Sequence, residues 1–272
     1  MTSILKKQIA NSKKIVFFRN DDVGLFSRLP VATELINLTN LFTELNIPIC
    51  HAVVPKVIDM ETVQWLKKAK ASYPHLISIG QHGFKHVNYG QGEFDTSRSY
   101  QEQKYDIAAG MQLMLKYFDS DFSYWFSAPW IGYNRYTKEI CDKLEFKVFS
   151  GGVSPVWYAR LFNALGRTLK LNVLGFKVIS YHKTSSFAQR GFNISEISVA
   201  IDVMQDYKLK QIKSLDVILK RFYQCQKHFS VIGFMLHQWA FDNEKKLEII
   251  RNLLCKLKES PNISFRLIEN IQ

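Results

Sequence analysis

At 272 residues, with 47% hydrophobic and 14% aromatic residues, the chain can bury a large core, and its ordinary charged fraction of 22% excludes an intrinsically disordered protein. The net charge of +12 is uneven: residues 1–154 carry 18 Lys/Arg against 15 Asp/Glu (+3), while residues 155–272 carry 18 against 9 (+9). That bias comes with no nucleic-acid-binding module and no apolar run long enough to span a membrane, which leaves either a solvated basic surface or an anionic partner such as an acidic, nucleotide-linked or lipid-linked sugar.

The N-terminal stretch MTSILKKQIANSKK lacks the apolar region of a secretory signal, so a cytoplasmic location is the expectation. KIVFFR (Lys14 to Arg19) reads as a buried first strand, followed by a helix over about Val31 to Leu45. Strands are expected at Pro48 to Val54 and Leu76 to Gly80, with a helix over about Glu61 to Ala71 between them. A long helix, Tyr100 to Tyr117, leads to a strand at Ser123 to Ser127. A short helix, Lys138 to Lys143, precedes a strand at Phe146 to Ser150. Phe176 to Tyr181 and Val231 to Leu236 read as two further strands, with helical sequence from about Ile197 to Lys227 between them. A helix over Glu244 to Lys258 and a strand over Ser264 to Ile268 close the chain.

Strands alternating with helices imply a parallel sheet with crossovers, and seven or so repeats imply an α/β fold closed into a distorted (β/α) barrel of about seven parallel strands. No linker or repeat divides residues 1–272, which read as a single domain. A candidate insertion lies at about 152–175, where bulky apolar residues mix with Arg160, Arg167 and Lys170. Packing on the barrel is the expectation, the alternatives being peripheral contact with a membrane or a cover over the site. Cys50, Cys141, Cys225 and Cys255 are widely spaced and read as reduced thiols. The oligomeric state is not legible.

Polar residues gather where the expected strands end, the place where parallel α/β folds build active sites. Asp21 and Asp22 follow the first strand; Gln81, His82 and His86 follow the third. Pro129 and Trp130 follow the fourth, His182 the sixth and His237 the seventh. His82-Gly-Phe-Lys-His86 has no Glu at position 83, which excludes the H-E-x-x-H zinc-protease mechanism. Two imidazoles and one carboxylate nevertheless satisfy the three-ligand count of a catalytic metal site, and the second carboxylate of the Asp21-Asp22 pair is then free to act as a base. Each motif has a plainer reading: adjacent acids cap helices, a histidine at a strand end is often structural, and Trp and Tyr fill cores at loop bases. His51 and His75 read as structural or surface residues.

Four segments taken together resemble the polysaccharide deacetylase (NodB-homology) family. FFRNDDVG looks like its first motif, QHGFKH like its H-x-x-x-H motif, FSAPWIGYN like the third and FMLHQW like the last; they occur in the family's order and span Ile15 to Trp239. The resemblance implies a metal-dependent hydrolase removing an N-acetyl group from an amino-sugar-containing glycan or glycan precursor. It implies that Asp22, His82 and His86 hold a divalent metal, Zn2+ first, with Co2+, Ni2+ or Mn2+ as alternatives. It further implies that Asp21 is the catalytic base, His237 the catalytic acid, and that Pro129, Trp130, Tyr133 and Trp239 contact the carbohydrate substrate. Two departures stand out. Ser127 or Ala128 occupies the place of the family's base-orienting Arg, and Arg19, two residues before Asp21 on the same strand face, is the candidate replacement. The acid that tunes the last histidine has no clear counterpart, Asp202 and Asp206 being candidates by position only. The alternatives are a catalytically silent glycan-binding protein on the same fold and a hydrolase of a different C–N bond.

Overall fold

The computed structural model describes residues 13–25, 31–154, 161, 165, 179–180, 186–188 and 192–271. The first half follows a strict alternation: β1 (Lys14–Val23), α1 (Thr33–Glu44), β2 (Ile49–Val53), α2 (Met60–Ser72), β3 (Ile77–His82), α3 (Tyr100–Phe118), β4 (Phe122–Ser127), α4 (Arg135–Lys143) and β5 (Val148–Ser150). After β6 (Gly152–Val153) come short strands: β7 (Ile179–Ser180), β8 (Ser186–Ala188), β9 (Ser195–Ile197), β10 (Val199–Asp202), β11 (Met204–Asp206) and β12 (Gln211–Ile212). The chain ends with α5 (Leu215–Gln226), β13 (Val231–His237), α6 (Glu244–Lys258) and β14 (Ile263–Phe265).

Hydrogen bonding follows the path β6-β10-β13-β1-β2-β3-β4-β5-β9, every neighbouring pair parallel. The two ends of that path meet. Val148 pairs with Ser195, Phe149 with Glu196 and Gly152 with Val199, a constant offset of 47 residues (195 − 148 = 199 − 152). β5 and β6 are therefore one strand interrupted at Gly151, and β9 and β10 one strand interrupted at Ser198. Counted so, seven parallel strands close a distorted (β/α) barrel, and the sequence expectation of about seven holds.

Period-two alternation sorts the strand residues. One set (Phe17, Cys50, Trp125, Val148, Ile197, Val231) packs in its own cluster with Leu267, Ile268 and Ile271 from the C-terminal segment. Its members alternate with residues that pack against the helices, so this cluster fills the barrel. The C-terminal segment closes one end: Trp125 Nε1 donates to Ser78 Oγ at 2.8 Å, and Ser78 Oγ donates to Glu269 Oε2 at 2.7 Å. Leu38, Leu41 and Phe42 of α1, and Ile250, Leu253 and Leu257 of α6, join the larger outer cluster at helical spacing. Four helix starts carry side-chain caps: Asp59 on α2, a Ser99–Glu102 capping box on α3, Asn134 on α4 and Asn243 on α6.

Several sequence expectations change. The helical reading of Ile197 to Lys227 is wrong for its first half, where Val199–Asp202 forms a barrel strand and β11 and β12 an antiparallel hairpin; only Leu215–Gln226 is helix. VAIDVM is buried on both sides, and such an apolar run has no period with which to tell strand from helix. The last strand ends at Phe265, and a 3-10 turn follows at Ile268–Asn270. Of the strand expected at Phe176 to Tyr181, Ile179–Ser180 is described; His182 and nearly all of the candidate insertion at 152–175 lie outside the described residues. All four cysteines are free, and among the described residues no helix is long and apolar enough to cross a membrane.

Two glycines make room for rings inside the barrel. A Cβ at Gly233 would come within 2.2 Å of the Phe17 ring, and one at Gly80 within 2.1 Å of Trp125. Gly233→Ala is expected to lower stability by about 1–3 kcal/mol through overpacking, read from urea denaturation.

Candidate metal centre

The open mouth of the barrel, where the strands end, gathers the charged groups. β1 delivers three of them. Arg19 and Asp21 share the inner face by alternation, and Asp22 would point away on a regular strand. It does not, because β1 carries an extra residue relative to β2: Asn20 pairs with His51 and Val23 with Val53, a bulge in the ladder. Asp22 adopts a left-handed conformation there (φ 66°), which Asp tolerates better than most residues.

Asp22 is the hub. Its Oδ1 lies 3.3 Å from His82 Nε2 and 2.9 Å from His86 Nε2, and its Oδ2 lies 3.8 Å from His237 Nε2. Burial alone would raise the Asp22 carboxyl, but the hydrogen bonds of His82 and His86 and the nearby His237 hold it well below the usual carboxylate range. Trp239 Nε1 also donates to Asp22 Oδ2, at 3.0 Å. His82 Nδ1 lies 2.8 Å from Ser127 Oγ, a contact that fixes the ring and aims Nε2 inward.

One carboxylate oxygen and two imidazole nitrogens thus lie within 4.8 Å of one another. Donors bound at the usual Zn–N and Zn–O lengths stand about 3.3 Å apart on a tetrahedron, close to the spacings seen here. The donor set and its burial fit a divalent ion.

Asp21 has a different environment. Arg19 Nε and Nη2 donate to its two oxygens at 2.7 Å each, a bidentate fork. The remaining nitrogen donates to the Ser150 carbonyl at 2.8 Å and to Ser150 Oγ at 2.7 Å, and Arg19 is fully buried.

A cavity of about 340 Å3 opens onto these groups, lined by Asp21, Asp22, His82, His86 and His237 together with Trp130, Ile131, Asp202, Tyr207 and Met235. Trp130 packs against His86 (ring centroids 4.2 Å apart) and Tyr207 edge-on against His237 (5.2 Å). Tyr133 is buried, its hydroxyl donating to Glu196 Oε1 at 3.3 Å, and neither it nor Pro129 lines the cavity. Trp239 stands behind the lining, on Asp22 through its Nε1 and with its ring 5.3 Å from that of His237. Pro129 packs under Gly83. Asp202 does line the cavity, but its Oδ2 accepts from Tyr207 Oη at 2.7 Å. Asp206 caps the hairpin turn at Lys208 and Leu209. Among the described residues none hydrogen-bonds to the buried His237 Nδ1.

Sequence reasoning overlooked Tyr207, hidden inside the misread helix, and the outer-face network behind β1. Thr39 Oγ1 donates to the Leu35 carbonyl at 2.7 Å, so at 3.3 Å it accepts from His51 Nε2. His51 Nδ1 then accepts from Asn20 Nδ2 at 3.1 Å, and Asn20 Oδ1 accepts the N–H of Gln238 at 2.8 Å. Asn20 therefore pins the residue next to His237.

No protein-family model and no curated protein sequence matches the chain. Solved structures do. A protein of Mycobacterium smegmatis assigned as a polysaccharide deacetylase superposes with a TM-score of 0.65 at 10% identity, covering 94% of this chain and 87% of that one. Puue allantoinase gives 0.63 at 8% identity, over 95% and 88%. A family 4 carbohydrate esterase from Streptomyces lividans, in complex with acetate, gives 0.53 at 11% identity, over 95% and 93%. At such identities the likeness is one of fold: the chain has the polysaccharide deacetylase fold.

Burial holds the His51 imidazole down to about 3, against an ordinary 6.5. Between those values the unfolded chain binds a proton that the folded one refuses, so the stability contributed is complete above pH 6.5 and falls as the solution is acidified. Acidification from pH 7 to 5 should remove about 2 kcal/mol through this residue. His51→Asn should flatten that part of the pH dependence of the unfolding free energy, measured by urea denaturation across the range.

Proposed function

We propose that the chain is a divergent polysaccharide deacetylase, a metal-dependent hydrolase that removes an N-acetyl group from an amino-sugar-containing glycan or glycan precursor. The observation that carries this reading is the convergence of Asp22, His82 and His86 beside an Asp21 held by Arg19, with His237 across the same cavity. Asp22, His82 and His86 would hold the metal, Zn2+ or a similar ion, which when bound supplies Lewis-acid polarisation of the acyl group and a water of lowered pKa.

The protein groups divide the proton work. Asp21, an anion fixed in orientation by the Arg19 fork, takes a proton from the attacking water. Negative charge developing on the acetyl oxygen meets a backbone donor: the N–H groups of Ile131 and Gly132 are spent inside their turn, which leaves that of Trp130. His237, on the far side of Asp22, delivers a proton from Nε2 to the departing nitrogen as the C–N bond breaks, and acetate and a free amine leave. The Trp130 and Tyr207 rings offer apolar faces to a sugar. Among the described residues the lining holds three carboxylates and no Lys or Arg, which supports an uncharged sugar beside them; the basic second half of the chain suits an anionic carrier held farther out.

A second reading, hydrolysis of a different C–N bond, has one observation in its favour: the likeness in fold to an allantoinase. Acetate release from N-acetylated mono- and oligosaccharides, run beside allantoin hydrolysis with the Zn2+- or Co2+-loaded protein, separates the two. Release of acetate that stops on chelation and returns with metal is the expected result, and a chain that neither binds metal nor cleaves either class would favour the catalytically silent reading.

Arg19→Ala is expected to lower kcat by at least tenfold with little change in KM, because Asp21 loses the partner that fixes it. Unchanged turnover in that variant, alongside an inactive Asp21→Asn, would remove Arg19 from the mechanism.

A further inference from the structure

His86 does not sit on a helix or a strand. After β3 the chain turns through Gly83-Phe84-Lys85-His86, with φ of 57° at both Gly83 and His86. Gly83 N donates to the Ser127 carbonyl at the end of β4 at 3.0 Å, and the three backbone donors that follow it converge on one group. The carboxylate of Glu93 accepts from Lys85 N at 2.7 Å, from Phe84 N at 3.1 and 3.3 Å and from His86 N at 3.3 Å. Glu93 is fully buried, and among the described residues no Lys or Arg lies within ion-pair distance of its carboxylate. The approach is close enough to dictate the sequence: a Cβ at Gly83 would stand 2.1 Å from Glu93 Oε2.

A buried carboxylate without a cation is expensive, and a neutral side chain would anchor an ordinary loop at lower cost. What a carboxylate adds is several acceptor sites on two oxygens fixed in one plane, able to gather three successive N–H groups into one turn. That turn ends at His86, whose Nε2 it brings to 2.9 Å from Asp22. We propose that Glu93 is a positioning residue for the metal centre, setting the backbone of residues 83–86 so that the His86 imidazole completes the site begun by Asp22 and His82. This rests on the metal-centre reading above, but it concerns a residue that touches neither metal nor substrate.

The test is binding of Co2+, whose visible absorption reports ligand number and geometry without any reference to turnover. Glu93→Gln keeps the volume but turns an amide donor toward the backbone donors. Metal-free parent, Glu93→Gln and Glu196→Gln are titrated with Co2+ against a chelating dye at a temperature where circular dichroism shows each to be folded. Glu196 is a second buried carboxylate, paired with Lys138 and away from the turn. The expected result is one Co2+ per parent chain, an affinity about 10–100-fold weaker with an altered visible band in Glu93→Gln, and parent-like binding in Glu196→Gln. Parent-like affinity and spectrum in Glu93→Gln would overturn the proposal and leave Glu93 a loop anchor, even if the variant proved less stable. A parent that binds no Co2+ would overturn the metal-centre reading, and this one with it. If the glutamine variant does not fold, Glu93→Asp, which keeps the charge but withdraws it by one methylene, is held to the same two outcomes.

Discussion

The site depends on a bulge. A regular strand sends neighbouring side chains to opposite faces, whereas this centre uses two adjacent carboxylates at a single barrel mouth. The extra residue in β1 opposite β2, together with the left-handed Asp22, removes that conflict. β1 also pairs with β13 and β14, so the positions of His237 and of the C-terminal segment are both referenced to the strand that carries the acids.

Once side by side, the two acids are kept apart electrostatically. Asp21 is held by a guanidinium fork and Asp22 by imidazoles, two different surroundings that match the two roles proposed for them. Burying Arg19 and Asp21 together is a poor route to stability, since desolvating both charges offsets most of their attraction and apolar residues of similar size would hold the barrel as well. A buried pair of this kind at the edge of a cavity is better accounted for by orientation than by folding energy.

Much of this was legible in the chain. Strands with clear apolar runs between helices with clear apolar faces gave the barrel and its strand count, and the clustering of Asp21, Asp22, His82, His86 and His237 at strand ends follows from the same reading. The proximity of Arg19 to Asp21 was legible as well, because both sit on one strand and alternation is a local rule. What failed was long-range or aperiodic. VAIDVM has no period to read, and its misassignment hid Tyr207 and the hairpin that carries it toward His237. Tyr133 belongs to a loop whose aromatic residues the sequence cannot sort into cavity wall and core. The partners of Ser127, Ser150 and Glu93 are set by tertiary contacts across 45, 131 and 7 to 9 residues, and no local pattern marks them.

The pairing of Asp21 with His237 also bears on how the molecule comes into being. Residues that must meet at the centre lie at opposite ends of the chain, and the strands that bring them together are direct neighbours in the sheet. During synthesis the edge of β1 that β13 covers stays open until β13 has left the ribosome. Chaperone binding to the nascent chain would be useful over that interval, because open strand edges are where chains of this kind aggregate. The ring closes late, because β13 is the last of the seven barrel strands to be made, whereas Asp22, His82 and His86 all lie in the first third of the chain.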